Sequence, residues 1–393
     1  MTRFGLDCFI EKIPSALKGK RLGVVCHAAS INSSWSHIVD ILSVHPDCRL
    51  AAIFGPQHGI YGQTQDNMIE WEGGIHPVLK IPVFSLYGKL RKPSASMLEG
   101  IDALVFDIQD VGARPYTYVW TLKLCMEACL EAGLPIYVLD RPNPIGCVPF
   151  DGPMLSPDFF SFVGGASIPL CHRLTMGEMA LILKKVYFPE SQLEVIWMQN
   201  WWRSSLWPQT ALPWVLPSPN MPSVDTAVVY PGMVLIEATN MSEGRGTTRP
   251  FEIIGAPYIN ISGMLKSLYK YELEGCLFRE HGFIPTFQKW QGRYCNGLQV
   301  HVTDAADYLP VLTTVAIFAS VMENSSGEFQ FKSPPYEYET EKMPFDILSG
   351  DSSLRNALVN RVPLEQIKSQ WQESYKPFIE LFNSIVHYPE YLS

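Results

Sequence analysis

Short apolar runs alternate with helix-length segments through the first third of the chain. Apolar runs predict strands at Arg21–Cys26, Arg49–Phe54, Ile81–Tyr87, Ala103–Gln109 and Pro135–Asp140, and helical spacing follows at Ser36–Ser43, Ser94–Leu98 and Thr121–Ala132. Continuous apolar strands separated by helices are typical of a parallel sheet that is covered on both faces. The pattern therefore predicts an α/β fold with a doubly wound, mostly parallel sheet.

The pattern changes after Asp140. A helix is predicted to begin at Thr175, where Glu178 completes a capping box, and the five prolines of Trp207–Ser223 predict a long ordered loop. A second, smaller α+β domain is expected from Gly232, with a strand at Leu298–Asp304 and helices near Leu309–Met322 and Ser352–Gln372. The predicted domains are therefore residues 1–231 and 232–393.

Charge and composition narrow the classes of partner. The net charge of −9, without a Lys/Arg cluster, argues against nucleic acid or an anionic membrane as a partner. The nine cysteines form no CxxC pair, which indicates neither a disulfide framework nor a zinc site and favours a reducing compartment. No segment has the apolar core of a signal peptide or the ~18 apolar residues of a membrane span. A cytoplasmic location is expected, and the oligomeric state stays open, with a homodimer as one option.

Polar residues follow several predicted strands, and in an open parallel sheet ligands bind beyond the carboxyl ends of the strands. Four strand ends thus bring imidazoles, carboxylates, guanidiniums and amides to one edge. They are His27; Gln57 and His58; Asp107, Gln109 and Asp110; and Asp140, Arg141 and Asn143. In GPQHGIYG (residues 55–62), the amide of Gln57 is unusual, because an amide cannot supply a proton as a carboxyl can.

The segment DIQDVGARPYTY holds the densest patch. Asp107 and Asp110 are candidates for an acid–base pair, although one of them could instead cap a helix or pair with Arg114. Arg114 is held extended by the proline that follows it, which suits an anion clamp or a surface ion pair. In an extended segment Tyr116 and Tyr118 share one face, so either these two rings or the threonine between them would point into a site.

Other candidates lie further along the chain. Asp140 and Arg141 are expected to form a structural pair, and His172 is either a loop residue or a site residue. Ser218 and Asn220 lie among prolines and suit the recognition of hydroxyl groups.

The segment NMSEGRGTTRPFE is a second dense patch, with Glu243, Arg245 and Arg249 among glycines. Glu237 lies just before it in an apolar, strand-like run and needs either an arginine partner or a role as an acid. Nucleotide binding is poorly supported because neither a GxGxxG motif nor a P-loop occurs. Metal-assisted hydrolysis through His27 and His58 is disfavoured because no HxH or HxxxH ligand pair is present.

Several motifs, taken together and in order, resemble the NamZ family of exo-β-N-acetylmuramidases. They are PQHGIYG, SLYG, FDIQDVGARPYTY, VLDRPNP, LPWVLPSPNMPS and EATNMSEGRGTTRPFEIIGAP. The resemblance runs from about Gly5 to Gly350. It implies a Rossmann-like N-terminal domain, a smaller C-terminal domain and an active-site cleft between them.

The resemblance also implies a reaction, the release of N-acetylmuramic acid from the non-reducing end of peptidoglycan fragments without a cofactor or metal. The lactyl carboxylate of that sugar would need a cation, for which Arg114, Arg245 and Arg249 are candidates. Its acetamido and hydroxyl groups would need polar partners, for which the candidates are Gln109, Asn143, Ser218 and Asn220. Asp107, Tyr116, Tyr118, His172 and Glu237 complete the expected substrate site.

Gln57 departs from the family pattern, whose loop typically reads P-E-H-G. Three interpretations follow. The acid could be Asp110, Glu243 or Glu237, with His58 as a proton carrier; or Gln57 could orient a water or the acetamido group of the substrate. Alternatively, the chain could be a catalytically weak muropeptide-binding or sensing protein.

Overall fold

Strands form one large and two small sheets in this computed structural model, which describes residues 1–66 and 68–391. In chain order they are β1 (Arg21–Cys26), β2 (Arg49–Gly55), β3 (Gly74–Ile75), β4 (Pro82–Ser85), β5 (Ala103–Asp107), β6 (Ile136–Leu139), β7 (Asp151–Met154), β8 (Pro169–Cys171), β9 (Leu193–Ile196), β10 (Ile253–Ala256), β11 (Cys276–Glu280) and β12 (Asn296–Val302). The large sheet has the order β3-β4-β2-β1-β5-β6-β9, and only the β3–β4 pair is antiparallel. The small sheets are the antiparallel β10-β12-β11 and β7-β8.

Helices cover these sheets. They are α1 (Gly5–Glu11), α2 (Ile38–Val44), α3 (Ala95–Leu98), α4 (Tyr118–Ala132), α5 (Met176–Val186), α6 (Trp207–Thr210), α7 (Val224–Met233), α8 (Ile261–Leu268), α9 (Pro310–Asn324), α10 (Pro344–Ser349), α11 (Ser353–Val359), α12 (Leu364–Ser374) and α13 (Lys376–Asn383). Among the residues that the structure describes, no helix combines the length and apolarity that crossing a bilayer requires.

Strand β5, in the interior of the large sheet, shows why the sheet is doubly wound. All five of its residues are buried, and successive side chains point to opposite faces. Ala103 and Val105 join the apolar cluster that includes α1 and α2, whereas Leu104 and Phe106 join the cluster that includes α4 and α5. The doubly wound, mostly parallel sheet expected from the apolar runs is therefore confirmed, as is the Rossmann-like fold that the family resemblance implies.

Local signals explain where several elements begin and end. The capping box at α5 forms as expected: Thr175 accepts a hydrogen bond from the Glu178 amide at 3.2 Å, and its own amide donates to the Glu178 carboxylate at 3.0 Å. Helix α4 ends at Gly133, whose φ of +67° a residue without a Cβ adopts at no steric cost.

Two elements differ from the expectation. The helical region near Ser352–Gln372 is divided into α11 and α12, because Pro363 cannot continue a helix and instead stands before the first turn of α12. The run Val234–Ala238, which contains Glu237, forms a 3₁₀ turn directly after α7 and not a strand. The 3₁₀ turn buries the apolar residues of this run, as a strand would, so an apolar run alone does not distinguish a 3₁₀ turn from a strand.

The C-terminal half packs directly on the large-sheet half. The predicted division at residue 231 falls inside α7, and one continuous apolar cluster includes residues of β5, α4, α9 and β12. Near the end of the chain, the Tyr388 hydroxyl donates to Asp140 at the end of β6, at 2.6 Å. The edge of the large sheet where β2 and β5 end is thereby covered by elements from both halves.

Candidate active site

A cavity lies beyond the carboxyl end of β2, between loops from both halves of the chain. It is lined by the loop after β2, the start of α4, the proline-rich loop before α7, the 3₁₀ turn after α7, and residues 336–337. The expected site residues that line it are Gln57, His58, Tyr116, Tyr118, Ser218, Asn220, Glu237 and Arg245. Strand-end reasoning thus located one wall of this cavity.

The loop after β2 fixes Gln57 and His58 in defined orientations. His58 has a φ of +69°, and its Nδ1 lies 2.6 Å from the Thr64 carbonyl oxygen. Nδ1 therefore donates, and Nε2 is left as an acceptor. Burial lowers the pKa of His58 to about 4, so the ring is neutral at physiological pH and suits a base better than an acid. Gln57 accepts the Thr117 hydroxyl at 2.7 Å through Oε1, which leaves its NH₂ group as the donor available to a ligand.

Among its contacts, the Glu237 carboxylate is held by Arg245 and Tyr336. Its Oε1 accepts from Arg245 Nη2 at 2.7 Å, and its Oε2 accepts from the Tyr336 hydroxyl at 3.0 Å. Arg245 also contacts the Glu243 carboxylate at 3.2 Å. The expected arginine partner of Glu237 is therefore present, and the carboxylate nevertheless lines the cavity.

Glu337 is a second carboxyl on the cavity wall, and sequence reasoning missed it. It is buried, has a φ of +44°, and accepts the Tyr87 hydroxyl at 3.2 Å. Burial and the neighbouring charge of Glu237 raise the pKa of Glu337 to about 7. The signal that could have found it is the segment PPYEYE, in which a glutamate lies between two aromatic rings and follows two prolines.

Tyr116 and Tyr118 both line the cavity, as does Thr117 between them. The alternation expected of an extended segment fails because α4 begins at Tyr118. The two rings meet edge to face with centroids 4.9 Å apart, and the Tyr118 hydroxyl donates to the Pro217 carbonyl at 2.6 Å. These contacts join the start of α4 to the proline-rich loop that carries Ser218 and Asn220.

Asp110 and Glu243 lie outside the set of lining residues. Burial raises the pKa of Asp110 to about 7; its Oδ2 accepts from the Gly112 amide at 2.7 Å, and its Oδ1 has no hydrogen-bond partner. Burial acts in the same direction on Glu243, but the Lys289 and Arg245 charges outweigh it and hold the pKa of Glu243 below its usual range. Glu243 lies 2.7 Å from Lys289 Nζ. It is therefore ill suited to donate a proton.

Asp107 is part of the scaffold and does not line the cavity. Its two oxygens accept from Arg141 Nε at 2.5 Å and Nη2 at 2.8 Å, and both side chains are buried. The expected pair between Asp140 and Arg141 is therefore wrong. Asp140 instead accepts from the hydroxyls of Thr175 and Tyr388 and from two backbone amides.

Arg114 also belongs to the scaffold, contrary to its expected role as an anion clamp. It is fully buried and donates to the carbonyls of Pro153, Ile168, Leu348 and Ser349 at 2.8–2.9 Å. These carbonyls come from segments far apart in the chain, so the guanidinium joins them and has little capacity left for a substrate.

Four further candidates do not line the cavity, although Gln109 Oε1 and His172 Nε2 are buried without a hydrogen-bond partner among the described residues. The Gln109 and Asn143 amides donate to backbone carbonyls, and Arg249 is half-exposed and pairs with Glu252 at 3.2 Å. His172 is buried, accepts from the Leu174 amide at 3.1 Å, and has its pKa lowered to about 3 by burial. His27, a strand-end candidate, is likewise buried and lies 3.3 Å from the Gln109 carbonyl.

The described residues offer no cluster of side chains that could bind a metal ion. Within residues 1–66 and 68–391, no group of three or more His, Cys, Asp or Glu side chains could hold a metal ion.

Two family models cover almost the whole chain. The N-terminal model of the exo-β-N-acetylmuramidase NamZ matches residues 22–225, and its C-terminal model matches residues 228–388. The chain belongs to the NamZ family. It is 42% identical over 374 residues to the peptidoglycan β-N-acetylmuramidase NamZ of Bacillus subtilis, a match that covers 95% of this chain and 88% of that protein.

Two solved structures share the fold. Both are crystal structures of DUF1343 family proteins from Bacteroides fragilis. One has a TM-score of 0.86 at 29% identity and covers 98% of this chain and 99% of its own; the other has a TM-score of 0.78 at 26% identity and covers both chains fully. Membership of the NamZ family rests on the two family models and on the relative in Bacillus subtilis, and the two solved structures show the same fold.

Proposed function

We propose that this NamZ family member is a glycoside hydrolase that releases N-acetylmuramic acid from the non-reducing end of peptidoglycan fragments. The observation that carries the proposal is a single cavity with two carboxyls in different environments. Glu237 is held by a guanidinium, whereas Glu337 is buried beside that negative charge. Glycoside hydrolysis uses such a pair, one carboxyl to give a proton and one to carry negative charge.

Glu337 is the proposed proton donor. With its pKa near 7 it holds a proton in a large fraction of molecules at neutral pH and can give it to the glycosidic oxygen as the bond to the anomeric carbon breaks. The leaving sugar then departs with a new hydroxyl group. Tyr87 donates to Oε2 of Glu337, which leaves Oε1 as the oxygen that carries the proton.

Glu237 is the proposed second carboxyl. Its negative charge stabilises the positive charge that develops on the sugar ring. Water then adds to the anomeric carbon and gives up one proton, which returns Glu337 to its acid form and completes hydrolysis. Arg245 and Tyr336 fix its position, so no reorganisation is needed as the charge appears. The neutral ring of His58 and the NH₂ group of Gln57 are the nearby acceptor and donor for the acetamido group or the water.

Gln57 also supports a second candidate function, a muropeptide-binding or sensing protein. The cavity, the polar groups and the carboxyl pair would be the same, but turnover would be slow if a carboxyl at position 57 were required. Turnover and binding therefore have to be measured on the same preparation.

The proposed compartment is the cytoplasm. All nine cysteines are free thiols in the structure, which suits a reducing environment.

The pH dependence follows from the proton on Glu337. Its raised pKa means that the acid form is present below about pH 7 and is lost above it, so kcat/KM for a disaccharide substrate is expected to fall as the pH rises through about 7. Because Asp110 has a similarly raised pKa, the Asp110→Asn variant is the control and should keep this basic limb. If kcat/KM of the Asp110→Asn variant did not fall as the pH rises through about 7, the proton donor would be Asp110 and not Glu337.

The Gln57→Glu variant tests whether a carboxyl is missing. Since Glu337 supplies the proton, kcat is expected to change by less than about tenfold, within the scope of one altered hydrogen bond. Thr117 can donate to the new carboxylate as it does to the amide, so the loop should keep its conformation. A rise of a hundredfold or more would show instead that the wild-type chain lacks its acid and would favour the binding function.

A further inference from the structure

Arg91 lies in a cage of three aromatic rings. Its guanidinium carbon is 3.7 Å from the ring centroid of Tyr338, 5.3 Å from that of Tyr87 and 5.4 Å from that of Phe162. Cation–π contacts of this kind hold a guanidinium in place without consuming its hydrogen-bond donors.

The cage adjoins the cavity at each of its rings. Tyr87 donates to Glu337, Tyr338 follows Glu337 in the chain, and Phe162 precedes Val163, which lines the cavity. The charge of Arg91 also acts on Glu337 and opposes the rise of its pKa. Arg91 and its three rings do not themselves line the cavity; they lie directly behind its wall, on the side of the proposed proton donor.

The hydrogen-bonding capacity of Arg91 is largely unused. Its Nε and Nη2 are buried and have no hydrogen-bond partner within residues 1–66 and 68–391, and the Glu70 carboxylate is 3.6 Å from Nη2, too far for a hydrogen bond. The Arg91 side chain as a whole keeps 21% of its surface exposed, and a ligand would have to displace the Glu70 carboxylate to reach the buried Nη2. In contrast, Arg245 donates to Glu237 through Nη2, and Arg114 donates to four carbonyls through Nη1 and Nη2, although the Nε of each also has no hydrogen-bond partner among the described residues.

We propose that Arg91 binds the carboxylate on the lactyl group of N-acetylmuramic acid when this sugar occupies the cavity. The inference rests on the proposed function and adds the residue that selects an anionic sugar over a neutral one. A planar guanidinium with free donors matches a carboxylate, and stacking on Tyr338 fixes its orientation before the ligand arrives. Glu70 is then a competing carboxylate that the ligand displaces.

The Arg91→Met variant tests this assignment with two aryl glycosides, that of N-acetylmuramic acid and its lactyl methyl ester, which keeps the bulk and removes the charge. The ratio of kcat/KM for the acid to kcat/KM for the ester is expected to fall about 10- to 100-fold, the range of a hydrogen bond to a charged group. Loss of the Arg91 charge also affects the pKa of Glu337, but this effect is the same for both substrates and cancels in the ratio. An unchanged ratio would overturn the assignment and leave Arg91 as a link between loops.

Arg293→Met is the matched control. Arg293 is also an arginine stacked on a ring, 4.9 Å from the Trp290 centroid, but it is exposed and does not line the cavity. Its removal should leave the ratio unchanged. A third aryl glycoside, with a dipeptide joined to the lactyl group by an amide bond, has a peptide carboxylate but no lactyl carboxylate. If Arg91→Met leaves kcat/KM for this substrate unchanged, Arg91 binds the lactyl carboxylate. If kcat/KM falls as much as it does for the acid, the assignment to the lactyl carboxylate is overturned.

Glu70→Gln gives an independent readout that does not depend on removing Arg91. Without the competing carboxylate, KM for the acid should fall several-fold and KM for the ester should not change; a parallel change in both would count against the proposal.

If the wild-type protein hydrolyses neither substrate, the proposed function fails, and calorimetric binding of free N-acetylmuramic acid and its methyl ester still tests Arg91. A preference for the acid that disappears in Arg91→Met supports the assignment, and no preference in the wild type overturns it.

Discussion

The Glu337→Gln variant is expected to hydrolyse a disaccharide of N-acetylmuramic acid and N-acetylglucosamine about 10²- to 10⁴-fold more slowly than the wild type. This is the range that general acid catalysis contributes. The departing sugar is a poor leaving group and needs the proton that Glu337 supplies. Glutamine keeps the size of the side chain and an oxygen that can accept from Tyr87, so the fold should not change.

An aryl glycoside with an acidic phenol separates proton donation from other roles of Glu337. Its leaving group departs without protonation, so Glu337→Gln should slow it far less than it slows the disaccharide. Tyr87→Phe is the control for the local packing, and it should alter both substrates only slightly. Equal losses on the disaccharide and the aryl glycoside in Glu337→Gln would contradict the assignment of the acid.

The Asp107→Asn variant is expected to lower the free energy of unfolding by about 3–5 kcal/mol, because it leaves the buried guanidinium of Arg141 without its charged partner. Denaturant unfolding followed by tryptophan fluorescence measures this loss. KM of the folded variant should stay near the wild-type value, since Asp107 does not line the cavity.

Asp102→Asn is the matched control at the other end of the same strand. Asp102 also forms a two-point contact with an arginine, Arg21, but the two side chains are 29% and 47% exposed. Exposed pairs contribute at most about 1 kcal/mol, so this variant should lose far less stability. Unchanged stability together with a raised KM in Asp107→Asn would identify Asp107 as a substrate ligand and contradict its role in the scaffold.

The sequence predicted most of the large sheet and one wall of the cavity. A buried parallel strand corresponds to a continuous apolar run in the sequence. For example, the run Arg21–Cys26 predicts β1 with the bounds that the structure shows. Gln57 and His58 could be placed because parallel strands end at a common edge. For the same reason Tyr116 and Tyr118 were expected near them.

The partners of the charged residues could not be predicted in the same way. Arg141 adjoins Asp140 in the chain but pairs with Asp107 on the neighbouring strand, and Arg114 is buried among carbonyls that only the folded chain brings together. Glu337 lies in an irregular loop far from Gln57 in the sequence. Neither periodicity nor strand-end reasoning reaches such a loop, because its position is set by packing between the two halves of the molecule.

Turnover of the disaccharide by the purified wild-type protein tests the central claim most directly. Incubation of N-acetylmuramic acid linked to N-acetylglucosamine, with N-acetylmuramic acid at the non-reducing end, should release both free sugars, which mass spectrometry identifies, and the rate should fall above about pH 7. Release of neither sugar, together with measurable binding of the disaccharide, would contradict hydrolysis and establish the binding function in its place.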